Sequence, residues 1–194
     1  MEDKIKLLAT SFGLDKVKFN EKVGNHLATG VGGPASLFAV VVSDRELIKI
    51  IDECRILKIP FLIVGTGSKM MLSESGFDGV VIKNRTQNIK ITSIKGKVSK
   101  IGVGVESVLL ETEGGVIIVK FVEFLKKQGL IYAEFVGLSG SIGGNIFINR
   151  TLQEKTESIK VLNLDGEVEI IPVTELNLRK HIVISVILKI KAQS

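Results

Sequence analysis

Three glycine clusters stand out as the stretches whose composition and spacing can do chemistry. Thr29-Gly30-Val31-Gly32-Gly33-Pro34-Ala35 is the first and Gly65-Thr66-Gly67-Ser68-Lys69 the second. The third is Gly137-Leu138-Ser139-Gly140-Ser141-Ile142-Gly143-Gly144. Glycine has no side chain to block an approach and takes positive φ freely, so successive backbone N–H groups can converge on an anion. Ser68 and Ser141 add hydroxyl donors and Lys69 adds a positive charge, which makes phosphate the ligand of choice. A single glycine-rich turn is more often only a turn. Three in one chain, one of them directly behind an apolar β-type run, point further. The second cluster lacks the third glycine and the following helix pattern of a Rossmann loop. It also lacks the Gly-x-x-x-x-Gly-Lys spacing of a Walker loop, so a phosphate loop of another fold is required.

Other reactive residues read more simply. His26 and His181 are far apart with no third partner, which favours structural roles over catalysis. Cys54, the only cysteine among 194 residues, falls on an apolar helix face and reads as core. One cysteine also excludes an internal disulfide and a multi-cysteine metal site, and no metal is expected. Glu111 and Glu113 alternate along a strand pattern and read as a solvated face rather than an acid–base pair. A net charge of +5 favours anionic partners. The basic residues are spread out and few aromatics accompany them, so nucleotides or phosphorylated sugars are preferred to nucleic acid.

The elements that must position these loops follow from periodicity. Lys4–Phe12 reads as a leading helix and Ser36–Val42 as a buried strand. Ser43 offers an N-cap with Glu46 three residues on, and Leu47, Ile48, Ile51, Cys54 and Leu57 follow at helical spacing. Pro60 is expected to stop this helix. Phe61–Val64 and Gly79–Lys83 read as strands, which completes a βαβ unit. From Asn88 the pattern changes. Asn88–Ile94, Lys97–Val103 and Ser107–Thr112 read as three strands, the first two joined through Lys95-Gly96. Val116–Gln128 reads as an amphipathic helix with Gly129 at a left-handed cap. Ser158–Leu164 and Glu167–Val173 flank the hairpin signal Asp165-Gly166, and Ile182–Ile190 closes the chain.

The expected class is therefore α+β in two lobes, residues 1–86 and 87–194, with a cleft between them. With 45% hydrophobic and 24% charged residues the chain can build a sizeable core. No run approaches the roughly 18 apolar residues of a membrane span, and no signal-peptide stretch opens the chain. A soluble cytoplasmic protein is expected.

Three motifs carry a family resemblance. His26–Ala35, HLATGVGGPA, resembles HTTFRIGGPA of the UDP-N-acetylenolpyruvoylglucosamine reductases, also called UDP-N-acetylmuramate dehydrogenases. Val64–Ile82, VGTGSKMMLSESGFDGVVI, is similar to their GGGSNLLVSDEGFDGVVI, including the Gly76-Phe77-x-Gly79 tail. Glu134–Asn149, EFVGLSGSIGGNIFIN, resembles EFLAGIPGTVGGAVRMN with one residue fewer. Order and separation also match. The resemblance covers about residues 20–191 and implies a two-lobed FAD-binding fold of the vanillyl-alcohol-oxidase-like class.

It further implies roles for residues. Gly65, Thr66, Gly67, Ser68, Lys69 and Met70 would line the pyrophosphate of FAD. Gly137, Gly140, Ser141, Gly143 and Gly144 would flank the adenine-to-flavin path. Ala28 and Gly32-Gly33 would lie near the isoalloxazine ring, and Ile184 would approach the cofactor. The implied activity is NADPH-dependent reduction of the enolpyruvyl ether of a UDP-sugar in peptidoglycan precursor synthesis. The alternative is a partial or non-catalytic FAD- or nucleotide-binding module.

Departures from the family pattern bear on catalysis. Asn149 runs into Arg150-Thr151-Leu152 where the family has Asn-Ala-Gly-Ala-Tyr-Gly. Leu178-Arg179-Lys180 stands near the family's Tyr-Arg-x-Ser, which leaves Arg179 as the candidate for charge stabilisation. Lys69 replaces an asparagine and Ser139 a proline. The family's proton-donating serine and late glutamate belong to a third lobe that would follow Ser194, so the chain alone is expected to hold FAD and reduce the enolpyruvyl group poorly.

Overall fold

The computed structural model describes residues 1–99 and 102–193. It divides into two compact units, Met1–Thr86 and Gln87–Ser194.

In unit 1, α1 (Glu2–Phe12) leads to the edge strand β1 (Val17–Lys22). There follow β2 (Pro34–Val41), α2 (Asp44–Leu57), β3 (Phe61–Val64) and β4 (Phe77–Asn84), in sheet order β1-β2-β4-β3. β1 is antiparallel to β2, while β2 and β3 run parallel to β4. Successive strand residues point to opposite faces. Val80 and Ile82 are fully buried on one face, the one covered by α1 and α2 with Leu8, Leu47, Ile50, Ile51 and Cys54. The other face carries Phe38, Val64 and Val81 beneath Leu27 and Leu72 from two long loops. β1 was not legible as a strand: VKFNEK is mostly exposed and Asn20 takes a left-handed φ of 49°, so only backbone pairing marks it.

The start of α2 is close to the expected capping box. Ser43 Oγ accepts from Glu46 N at 3.3 Å, while Glu46 Oε2 reaches one residue further back to accept from Val42 N at 2.9 Å. Its end differs from expectation. Pro60 does not terminate the helix directly, because Lys58 already turns left-handed at φ 53° and caps it. Burial pushes the Cys54 thiol up to about 12.

Unit 2 is an antiparallel sheet with helices on one face. Its strands are β5 (Ile89–Ser99), β6 (Gly102–Glu113), β7 (Thr156–Leu162), β8 (Val168–Ile171) and β9 (Ile182–Lys191), ordered β5-β6-β9-β7-β8. Between β6 and β7 lie α3 (Ile118–Lys127), α4 (Ile142–Asn145) and α5 (Arg150–Glu154). Ile118, Phe121 and Leu125 of α3 pack with Leu110, Val161, Val186 and Leu188 of the sheet. Phe121 meets Phe135 edge-on, with centroids 5.3 Å apart.

Two expectations here are corrected. Lys95-Gly96 is not a turn: Lys95 pairs with Ser107 and Gly96 with Val105, a register shift inside one long strand pair. The strand expected over Lys97–Val103 is instead the end of β5 and the start of β6, with residues 100 and 101 outside the described residues. A bulge mimics a turn in sequence because both favour a glycine beside a polar residue. Gly129 does take φ 64° behind α3, and Gly166 takes φ 89° in the β7–β8 turn.

Two outcomes test the α2 termini in a urea titration followed by circular dichroism. Ser43→Ala removes the cap and is expected to cost about 1 kcal/mol, whereas Lys58→Gly relieves the left-handed residue and should gain about 0.5–1 kcal/mol. A third concerns acid. The Lys16 ammonium at 2.7 Å, then the Val42 N–H, hold the Glu46 carboxyl below its ordinary 4.5. Its contribution to stability is full above that value and fades as pH falls through the folded pKa. Glu46→Gln should flatten this part of the acid profile.

Candidate functional site

The first two glycine clusters come together on the loop-bearing face of unit 1. The segment after β1 closes on itself through Val23 N to Gly33 O at 3.0 Å and Gly24 N to Gly32 O at 3.2 Å. The segment between β3 and β4 lies against it. Ala28 N donates to Thr66 O at 3.1 Å, and Gly33 N to Ser73 O at 2.9 Å. Glycine is needed at two of these contacts. A Cβ on Gly33 would overlap the Glu74 carbonyl oxygen, and Gly67, at φ 72°, faces the Leu27 side chain across a gap too small for a methyl. Gly32, Gly33, Ala28, Gly65, Thr66, Gly67, Ser68, Lys69 and Met70 thus belong to one interlocked pair of loops.

Donors remain open on this pair. Among the described residues, neither the Thr66 nor the Gly67 amide donates to an acceptor. Thr66 Oγ1 lies 3.1 Å from Ser68 Oγ and accepts from Ser68 N at 3.4 Å, which folds the turn tightly. The Lys69 side chain is exposed.

Beneath the loops sits a polar cluster that the sequence reading missed. His26 stacks on Phe38 with ring centroids 4.1 Å apart, and its Nε2 meets Glu21 Oε1 at 2.7 Å. The hydrogen bond from His26, aided by the charge of Lys18, holds the Glu21 carboxyl below its ordinary range. The buried Lys83 on β4 donates from Nζ to His26 O at 2.7 Å. Lys83 gave no signal in sequence beyond a charge ending an apolar strand. A structural part for His26 fits this geometry, since its ring stacks on Phe38 and its Nε2 is engaged by Glu21.

In unit 2 the third cluster is tied to a further glycine pair, Gly114-Gly115, which the sequence analysis did not single out. Gly143 N donates to Gly114 O at 2.8 Å, and Gly114 N donates to Ile184 O at 2.7 Å. Ile142 N donates to Val116 O at 2.8 Å. This arrangement brings Gly143 and Ile184 to one point, and it also engages the Ile142 and Gly143 amides within the protein. Asn145, buried, donates from Nδ2 to Ser139 O and Ser141 O at 2.9 Å each and fixes the turn that precedes it. Gly137 and Gly144 are exposed, Gly140 is half-buried and Ser141 is buried.

Arg179 lies in the exposed turn before β9, where its backbone N donates to Asn177 Oδ1 at 2.9 Å. Its side chain makes no ion pair among the described residues. His181 Nδ1 accepts from Asn177 N at 3.1 Å in the same turn. Glu111 and Glu113 are not a solvated face. Glu111 Oε1 accepts from Ser185 Oγ at 2.8 Å, and Glu113 Oε2 from Asn88 N at 2.7 Å, so each joins neighbouring segments. Where the family motif would continue past Asn149, the chain forms α5, with Asn149 Oδ1 capping Leu152 N at 2.8 Å. Among the described residues no group of His, Cys, Asp and Glu could hold a metal ion, and no helix is long and apolar enough to cross a membrane.

Comparison with known proteins fits this geometry. Residues 34–170 match the family model described as an FAD binding domain. The chain is 31% identical over 167 residues to the UDP-N-acetylenolpyruvoylglucosamine reductase of Syntrophus aciditrophicus, covering 83% of this chain and 51% of that protein. The chain spans about half the length of the curated relatives it matches. Its fold is similar to that of the UDP-N-acetylenolpyruvylglucosamine reductase of Thermus caldophilus, with TM-score 0.65 and 22% identity over 92% of this chain and 63% of that one. It is similar in fold also to p-cresol methylhydroxylase, with TM-score 0.65 and 14% identity over 98% of this chain and 43% of that one.

The Gly143–Gly114 contact separates two adjacent glycines. An added Cβ on Gly143 would stand 2.9 Å from Gly114 O, while one on Gly144 meets only Ser141 Oγ at 3.6 Å. Gly143→Ala should therefore destabilise unit 2 by about 1–3 kcal/mol. Gly144→Ala should leave the thermal transition nearly unmoved.

Proposed function

Because the chain belongs to the FAD binding domain family, we propose that it holds FAD and serves a flavin-dependent oxidoreductase of the UDP-N-acetylenolpyruvoylglucosamine reductase type. The observation that carries this reading is the interlocked loop pair of unit 1, with its open Thr66 and Gly67 amides. Unpaired amides in a glycine turn suit the oxygens of a diphosphate. Residues 65–70 are assigned to that diphosphate, and Ala28, Gly32 and Gly33 to the flavin ring. In unit 2, Gly137, Gly140, Ser141, Gly143, Gly144 and Ile184 are assigned to the adenine-to-flavin path on the strength of the resemblance.

When bound, FAD supplies the hydride-accepting and hydride-donating chemistry, with NADPH as the reductant that the resemblance implies. The residues of this chain hold and orient it. Glycine amides neutralise phosphate charge without bringing carboxylates near it, and Lys69 adds a cation at the loop surface. For a UDP-sugar enolpyruvyl ether as substrate, Arg179 is the group of this chain assigned to stabilise developing negative charge. A general acid is also needed to protonate the carbon next to the one receiving hydride, a contribution of about 10²–10⁴-fold in rate. No residue of this chain is assigned to it. The half-length match to the relatives supports a second reading, an FAD-binding module whose catalysis depends on further protein.

Binding comes first in the test. The purified chain mixed with FAD should turn yellow and quench flavin fluorescence, and Lys69→Glu should weaken the Kd by one to two orders of magnitude, roughly 1.4–3 kcal/mol. A chain that never binds FAD, even when refolded with it, removes both readings. Anaerobic stopped-flow then separates them. NADPH-dependent bleaching followed by reoxidation with the enolpyruvyl sugar at several per second would establish the reductase, while a flavin that stays unresponsive to the sugar supports the module.

A further inference from the structure

The sheet of unit 1 contains a buried cation that the loop assignments leave out. Lys83 lies in β4, with β2 on one side and β3 on the other. It pairs with Val40 on β2 and Val64 on β3. Val81, two residues before it, faces the loop-bearing side, and so does Lys83 by the alternation of the strand. The residue is only 8% exposed. Nζ donates to His26 O at 2.7 Å, and among the described residues no carboxylate pairs with it. An ammonium has three N–H donors, and one backbone carbonyl satisfies a single one of them. Burial, and the neighbouring charge of Arg85, push its pKa down.

Buried charges are ordinarily paired, because an uncompensated ion in a low-dielectric setting is costly. A lysine in such a place either loses its proton or acquires an anion. Its position favours the second outcome. Val64, its partner on β3, is the last residue of that strand, and the open Thr66 and Gly67 amides follow after Gly65. Lys83 is itself one residue from the end of β4. Cation and open amides therefore gather at the carboxyl ends of two adjacent parallel strands, where ligands of open α/β sheets characteristically bind.

We propose that Lys83 is the buried counter-charge of the diphosphate, making this loop pair selective for flavin dinucleotide over flavin without phosphates. The inference rests on the FAD reading given above and extends it to a residue outside the glycine motifs. It differs from a purely structural part, in which the ammonium only props the His26 carbonyl. A lost prop would loosen the 26–33 segment for any flavin. A lost counter-charge acts on the phosphates alone.

The experiment compares FAD with riboflavin, which lacks the phosphates. In Lys83→Met the methylene volume is kept and the charge removed. FAD affinity should fall about tenfold or more, as expected for loss of a charge-assisted contact, while the riboflavin Kd stays within about twofold. Equal weakening of both ligands, or of neither, overturns the proposal. A wild-type chain that binds no FAD removes the FAD reading instead, so the two failures are distinguishable. A second measurement needs no variant. In 13C-lysine-labelled wild-type protein, inorganic pyrophosphate should shift the Lys83 Cε resonance on binding, and a resonance that stays in place while pyrophosphate binds overturns the assignment.

Discussion

Parallel strands that are neighbours in a sheet and consecutive in the chain cannot be joined by a hairpin; the connection must travel back along the sheet, usually as a helix. β3 and β4 are such a pair, and no helix joins them. The connection over residues 65–76 crosses the face opposite α2 as irregular chain. Irregular backbone laid over an apolar face needs hydrogen-bond partners. The first glycine loop supplies them through Ala28 N, Gly33 N and the Thr29 hydroxyl, which donates to Met70 O at 3.5 Å. Two backbones can lie this close only where side chains are missing, which is why glycine falls at Gly33 and Gly67. The loop pair follows from a pairing decision in the sheet, and its leftover amides are what makes it fit for an anion.

Unit 2 solves a similar problem with a different hub. Gly114, just past the end of β6, receives the Gly143 amide and gives its own to Ile184. Three segments distant in sequence meet there through backbone atoms alone. Side chains then only finish the packing, with Asn145 bracing the 139–141 turn and Phe121 set against Phe135. A junction of this kind tolerates wide change in side-chain identity while it resists any added Cβ at the points of contact. That accords with a fold shared at 14% identity with p-cresol methylhydroxylase.

What could be read from sequence divides along physical lines. The helices α2 and α3 were legible because one-sided burial writes a period into the residue order. The strands β2, β3, β4 and β9 were legible because they are short apolar runs rich in β-formers and bounded by polar or turn residues. The glycine loops were legible because so many glycines have few other uses. β1 was not, since an edge strand paired only through backbone leaves no apolar alternation. The β5–β6 bulge passed for a turn because its glycine is of the same kind. Lys83 and Asn145 were invisible for another reason. A polar residue inside an apolar strand or beside a glycine turn looks the same whether it faces water or a buried carbonyl. Only the alternation of β4 against its neighbours shows which way Lys83 points.

Cys54 has a use that follows from where α2 places it. It is the sole thiol, fully buried against the sheet, and burial keeps it protonated. A protonated, enclosed thiol does not react with alkylating or disulfide reagents, because the attacking species is the thiolate. Reaction must await an excursion that lifts α2 from β2 and β4. The protein thus carries an internal clock for unit 1: the pace of thiol labelling counts openings of that unit alone, against a silent background from the cysteine-free remainder of the chain.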